Sequence, residues 1–252
     1  MRITFLGTGT STGVPEIGCK CEVCCSKDPR DRRLRTSVLV EVDGKRILLD
    51  CGPDFRWQML KNNIDQLDAI LLSHEHYDHV SGLDDIRPLI YKNEIPIHAE
   101  EPVVEAIRTR LPYAFREHKY PGVPQLDLRS FNMEPFHTVG IEITPIRVYH
   151  GQLPIAGFRI GNMAYLTDVK TLPEESYPLL RGLDLLLIDA LRPDSRHFSH
   201  QGVDEAIVQA STIQAKETYL IHMSHRIGLH ADAEKLLPPG IHYAYDGLKL
   251  II

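Results

Sequence analysis

The 252-residue sequence has no stretch approaching the roughly 18 consecutive apolar residues of a membrane span, so no membrane partner is expected. It has no surplus of positive charge either. Lys and Arg number 28 against 34 Asp and Glu, for a formal net charge of -6. A broad nucleic-acid-binding face needs a basic field, so a stable nucleic-acid complex is not expected. A phosphate-bearing substrate stays open, because a bound cation can supply local positive charge that the residue count omits. The five cysteines are odd in number, and four of them lie within Cys19–Cys25. Complete disulfide pairing inside one chain is therefore excluded, which fits a reducing compartment. The opening MRITFLGTGTSTG lacks the basic segment and apolar run of a signal peptide. The expected location is cytoplasmic.

With 43% hydrophobic and 25% charged residues, the composition is that of an ordinary globular chain able to bury a core without staples. What recurs is a short apolar run closed by a residue that can bind metal. KRILLD ends in Asp50, LDAILLSH in His74, GIEITPIRVYH in His150, MAYLTD in Asp168 and ETYLIH in His222. LDLLLIDA, ending near Asp189, has the same form without an evident partner. Apolar runs of this length flanked by turns read as buried strands. Helical patterns fall at Asp78–Tyr91, Pro102–Arg110, Val203–Gln214 and Pro53–Lys61. Alternating strands and helices make an α/β protein whose strand ends gather the polar residues along one edge. Residues 1–252 are read as one unit, with halves meeting between about 120 and 140. The Pro- and aromatic-rich segment RLPYAFREHKYPGVPQLDL, within residues 110–130, is either a flap near the site or a plain crossover.

The densest chemistry is SHEHYDH, with three histidines and an aspartate in six positions from His74 to His79. Imidazole and carboxylate are the usual ligands of zinc, manganese and iron. On an extended chain His74 and His76 point the same way and can grip one ion. Asp78 suits a helix N-cap, and with His79 it can serve a second ion at the roughly 3.5–4 Å spacing of two-metal hydrolases. The pattern His-x-His-x-Asp-His, with ligand types at the later strand ends, resembles the metallo-β-lactamase superfamily over nearly the whole chain. The resemblance implies an αββα four-layer sandwich. It also implies that His74, His76 and His150 hold one metal, that Asp78, His79 and His222 hold the other, and that Asp168 bridges them. Aspartate rather than cysteine at the bridging position favours the phosphodiesterase and glyoxalase-II-like branches over antibiotic hydrolysis.

FLGTGTSTGVP has the spacing Gly-x-Gly-x-x-x-Gly, with no lysine in P-loop position, and fails as a nucleotide motif. It reads as a tight turn between two early strands. A similar stretch near the active site in the phosphodiesterase branches leaves a substrate contact open. Cys19, Cys21 and Cys24 offer three thiolates toward a tetrahedral zinc site, with Cys25 or His225 as the fourth ligand, in a loop spanning about 18–25. The PhnP-type phosphodiesterases show a similar pattern, which implies a structural zinc held by Cys19, Cys21, Cys24 and His225. Cys51 reads as a small buried residue, and Asp50 as a group orienting a histidine from behind. RDRRLR at 30–35 reads as a solvated loop.

His200, just before a helical pattern in RHFSHQGVDEAI, stands where the superfamily's phosphodiesterases place a histidine that protonates the leaving alkoxide. His197 reads as a surface or capping residue. The resemblance thus implies a metal-dependent phosphoric diester hydrolase using a water activated by a dinuclear pair of Zn, Mn or Fe. Its substrate would be a small cyclic phosphodiester of phosphoribosyl 1,2-cyclic phosphate or 2′,3′-cyclic nucleotide type, with a homodimer as the expected assembly. The alternatives are an RNA 3′-end-processing nuclease, a thioesterase of glyoxalase-II type, and a PqqB-like non-hydrolytic cofactor-binding protein.

Overall fold

A computed structural model of the protein describes residues 1–91, 93–118 and 121–252. The strands are β1 (Arg2–Gly7), β2 (Ser37–Val42), β3 (Lys45–Leu49), β4 (Ala69–Leu71), β5 (Pro96–Glu100), β6 (Asp127–Phe131) and β7 (Phe136–Thr138). They continue as β8 (Ile141–His150), β9 (Leu153–Ile160), β10 (Met163–Leu166), β11 (Leu185–Asp189), β12 (Glu217–Ile221), β13 (Ile241–Tyr243) and β14 (Lys249–Ile251). They form two seven-stranded sheets, ordered β14-β1-β2-β3-β4-β5-β6 and β13-β12-β11-β10-β9-β8-β7. Each sheet is antiparallel on one side and parallel on the other, the parallel runs being β3 to β6 and β10 to β13. Helices flank the pair, giving the expected αββα sandwich. Among the described residues no helix is long and apolar enough to cross a membrane.

The alternation of strand side chains explains the layers. In β3, Ile47 and Leu49 face the second sheet, where they meet a core that includes Ile146, Val148 and Phe158. Leu48 points the other way, into a separate core with Phe55, Met59, Val103 and Ile107 of the covering helices. All three strand residues are fully buried, which is why KRILLD reads as continuously apolar rather than alternating. The sheets are also tied to each other near the site. Arg147 of β8 donates two hydrogen bonds to the Glu100 carboxylate at the end of β5, at 2.6 and 2.8 Å. Ala156 N donates to the carbonyl of Ser73 at 3.1 Å.

Several local expectations need correction. The helix expected over Asp78–Tyr91 is broken into Tyr77–Val80, a 3-10 segment Ser81–Ile86 and Arg87–Ile90. Gly82 and Pro88 explain the breaks. Gly82 packs so closely on the Gly52 carbonyl that a Cβ would collide with it, and its N–H reaches Cys51 O at 2.9 Å. Asp78 is not the N-cap, a position taken by His76 without a side-chain bond; Asp78 lies inside the first turn. The FLGTG stretch is not a tight turn between neighbouring strands. β1 and β2 are paired, but residues 8–36 make a long excursion between them, in which Gly9 bridges both Arg35 and Met223. RDRRLR is not a solvated loop throughout, since Arg33 is buried and donates to Thr8 Oγ1 and Ala244 O at 2.9 and 2.6 Å. The halves meet between β6 and β7, at residues 132–135, because β6 completes the first sheet. Within the proposed flap, Ala114 and Val123 are buried, and residues 119 and 120 lie outside the described residues.

Gly52 follows β3 and faces the backbone that carries Asp78. A Cβ there would collide with the Asp78 carbonyl oxygen. Gly52→Ala should therefore cost about 1–3 kcal/mol, as overpacking does. Urea denaturation checks this, and an unchanged midpoint would show that the two segments are not in such close contact.

Candidate metal centre

Parallel strands point their carboxyl ends to one edge, and that edge collects the polar residues. β3 delivers Asp50, β4 leads to Ser73 and His74, β8 ends at His150, and β10, β11 and β12 deliver Asp168, Asp189 and His222. Asp50, Asp168 and His222 all adopt left-handed backbone conformations, with φ of 58°, 53° and 58°. Non-glycine residues take that region reluctantly, and such strain concentrates where a site needs a side chain turned off the end of a strand.

The geometry brings together every residue expected in the metal pair. His74, His76 and Asp168 place donor atoms within 4.8 Å of one another, and so do Asp78, His79 and His222, and His150, Asp168 and His200. Asp168 faces both sides. Its Oδ1 lies 3.9 Å from His74 Nε2 and 3.8 Å from His200 Nε2. Its Oδ2 lies 3.2 Å from His79 Nε2 and 3.4 Å from His222 Nε2. Asp78 Oδ2 is 3.1 Å from His79 Nε2 and 3.5 Å from His222 Nε2.

Tautomers follow from the partners behind the rings. His79 Nδ1 donates to Asp50 Oδ2 at 2.8 Å, since a carboxylate only accepts. Ser73 Oγ donates to the same oxygen at 2.9 Å, so it must accept from His74 Nδ1, also at 2.9 Å. His150 Nδ1 donates to the Ser199 carbonyl at 2.8 Å. In each ring the hydrogen is held at Nδ1 and the Nε2 lone pair is turned to the centre, as a metal-binding imidazole requires. Among the described residues, the Nε2 atoms of His74 and His79 are buried without a hydrogen-bond partner. A buried polar atom without a partner is costly, and a divalent cation is the group these lone pairs and carboxylates fit.

The protonation of His74, His150 and Asp168 agrees with this. Burial and the neighbouring His79 hold His74 well below the ordinary histidine value. Burial brings His150 down to about 4. Burial opposes ionisation of Asp168, yet His222 and His79 hold its carboxyl well below the usual range. Neutral imidazoles and ionised carboxylates are what a cation needs. Burial alone would keep His79 neutral, but the carboxylates of Asp168, Asp78 and Asp50 drive it upward, which marks surplus negative charge at the centre.

Two contributors were not assigned from the sequence. Asp189, read there without a partner, accepts from His200 Nδ1 at 2.9 Å and has its other oxygen 3.7 Å from His222 Nδ1. Burial lowers His200, but the charge and hydrogen bond of Asp189, with Asp168, raise it to about 9. Asp189 thus favours the protonated ring, whose Nε2 lies 3.8 Å from Asp168 Oδ1. The strand-then-acid form of LDLLLIDA was the available signal. Tyr165, whose hydroxyl donates to Asp50 Oδ2 at 2.7 Å, left none. His197 shapes the turn before His200, its Nδ1 accepting from His200 N at 3.3 Å.

The cysteine cluster forms a second group. Sγ atoms of Cys19, Cys21 and Cys24 lie 3.3, 3.4 and 3.3 Å from His225 Nδ1. Cys24 N–H donates to Cys21 Sγ and helps bring that thiol down to about 6. Cys25 is exposed and Cys51 fully buried, and neither belongs to the group.

Asp50 accepts from Ser73 N, Ser73 Oγ, His79 Nδ1 and Tyr165 OH. Asp50→Asn removes the charge and forces an N–H₂ against donors. It should weaken metal affinity about 10–100-fold, measured by competition with a chromophoric chelator. Unchanged affinity would contradict this orienting role.

The chain matches the beta-lactamase superfamily domain over residues 45–223. A solved PhnP-family diphosphatase is 42% identical and superposes with a TM-score of 0.92, over 99% of this chain and 97% of its own. Zn(2+)-bound PqqB from Methylobacterium extorquens has the same fold at 20% identity, with a TM-score of 0.79 over all of both chains. A protein named octanoyltransferase from Porphyromonas gingivalis (strain ATCC BAA-308 / W83) is 49% identical over 254 residues, covering 100% of this chain and 52% of its own. The chain thus spans about half the length of that relative. On the matched domain and on the near-complete likeness to the diphosphatase, the chain belongs to the metallo-β-lactamase superfamily of metal-dependent hydrolases and resembles its PhnP family.

Proposed function

We propose that this chain is a phosphodiesterase that hydrolyses a small cyclic phosphodiester, of phosphoribosyl 1,2-cyclic phosphate or 2′,3′-cyclic nucleotide type. The observation that carries the reading is Asp168 placed between two donor groups, with His200, backed by the Asp189 carboxylate, beside it. On this reading His74, His76 and His150 hold one divalent cation, Asp78, His79 and His222 hold the other, and Asp168 is shared. The cations, zinc, manganese or iron, supply Lewis-acid stabilisation of charge on the phosphoryl oxygens and lower the pKa of a water toward about 7.

The chain's own residues do the rest. Asp50 holds His79 directly and His74 through Ser73, so both rings are oriented before substrate arrives. His150 is fixed in the same way by Ser199. Asp189 keeps a hydrogen on His200 Nδ1 and favours the charged ring, which leaves the Nε2 hydrogen for the departing alkoxide. Cys19, Cys21, Cys24 and His225 would hold a structural zinc, and because His225 follows His222 by three residues, these ligands would tie the N-terminal loop to the segment just after β12.

The likeness to a PhnP-family diphosphatase supports a second substrate form, a phosphoanhydride, for which the same groups would serve. The name octanoyltransferase we attribute to the half of that protein which this chain does not match. An RNA-processing role would call for a basic arm that the sequence lacks, and a thioesterase has no need of the cysteine cluster. A PqqB-like carrier is disfavoured by seven converging donor residues. A homodimer remains the proposed assembly, and a small phosphorylated molecule the proposed partner.

Hydrolysis of bis(p-nitrophenyl) phosphate with added Mn²⁺ or Zn²⁺ tests the reading. Asp168→Ala should abolish turnover, and His200→Ala should reduce kcat about 10²–10⁴-fold, the range for loss of a general acid. No turnover by a wild-type protein with both metal positions filled would overturn it.

A further inference from the structure

Outside the donor cluster, one cavity is lined in part by a residue of the segment that carries the expected ligands. It has a volume of about 550 Å³ and is lined by Tyr77, Val80, Leu83, Ile107, Arg110 and Tyr113, among others. Tyr77 lies in the chain between His76 and Asp78, and its side chain is 70% exposed. Among the described residues no aromatic ring pairs with it. The opposite wall is fixed to the same loop, because Arg110 donates to the carbonyl of Glu75, the residue between His74 and His76. Tyr113 is held by its hydroxyl donating to Asp84, which also accepts from Arg87. The wall that begins the Pro- and aromatic-rich segment is thus built, and the free ring is the one next to the metal ligands.

We infer that this cavity receives the nucleobase of a nucleotide substrate, stacked on Tyr77, while the phosphodiester lies at the donor cluster. The inference rests on the phosphodiesterase reading and narrows it to substrates that carry a base. The chemistry of the lining decides between a base and a second phosphate. Two phenol rings and the aliphatic side chains of Val80, Leu83, Ile107 and Leu111 offer flat apolar contact. Among the described lining residues the one cationic group, Arg110, is already engaged with a backbone carbonyl. The volume falls within the roughly 300–1,000 Å³ of small-molecule sites. A base has an apolar face for the ring and polar edges for the rim, whereas a phosphate has neither.

Isothermal titration of the zinc-loaded holoenzyme with AMP and with ribose 5-phosphate tests this. AMP should bind about tenfold more tightly, in line with the worth of one stacked base. Tyr77→Ala should remove the difference between the two ligands, and Tyr77→Phe, which keeps the ring, should retain it. Equal wild-type affinities, absence of AMP binding, or a Tyr77→Ala effect of equal size on both ligands would each overturn the inference. Turnover of 2′,3′-cyclic AMP, measured in parallel, separates the two claims. A base preference without hydrolysis would overturn the phosphodiesterase reading and leave the cavity assigned. Hydrolysis without a base preference would do the reverse.

Discussion

The carboxylate of Asp50 is the interaction on which the centre depends. It is fully buried, it ends β3, and it accepts from a backbone N–H, a serine hydroxyl, a tyrosine hydroxyl and a histidine ring. A buried charge is tolerated when its lone pairs are satisfied by well-placed donors, and removal of one member leaves the others exposed to the desolvation cost. Through these bonds Asp50, just after β3, ties the loop after β4 (Ser73) and the short helix Tyr77–Val80 (His79) to Tyr165 in β10 of the second sheet. The tautomers of His74 and His79 follow from it, and so does the direction of their free lone pairs.

The sandwich supplies the second constraint. Parallel strands from both sheets end at one edge, and the residues at those ends are turned sideways by left-handed backbone at Asp50, Asp168 and His222. Close approach of chains makes this possible. Gly52 and Gly82 are used where segments around Asp78 and Cys51 meet almost backbone to backbone. The cysteine group acts on the same edge from outside, because Gly9 bridges Met223 and thereby brings the N-terminal excursion beside the residue after His222. Stability and site geometry are consequently coupled, as expected where strain at a site is held by surrounding structure.

Much of this was legible in the sequence because it depends on period and on residue type. Fully apolar runs such as AILL and LLLI announced strands buried on both faces, and the ligand types closing them announced the edge. His-x-His-x-Asp-His pointed to residues that the fold brings together, and so did Cys19, Cys21 and Cys24. What was not legible depends on long-range packing. The helix at Asp78–Tyr91 was overrun by the close contact at Gly82, and the FLGTG stretch was misread because its partner, Met223, lies more than 200 residues away. Arg33 looked like one of several solvated arginines, since nothing local shows that Thr8 and Ala244 enclose it. Asp189 carried the right form, but its pairing with His200 exists only once β11 and the loop after it are folded together.

Two separate donor groups occur on one chain, and we propose that one holds a pair of ions and the other a single zinc. The most direct measurement is zinc content by plasma mass spectrometry after chelator stripping and reconstitution, for wild type and for Cys24→Ser. Three ions per wild-type chain and two per Cys24→Ser chain are the predicted result. One ion per wild-type chain, or no loss on Cys24→Ser, would contradict it.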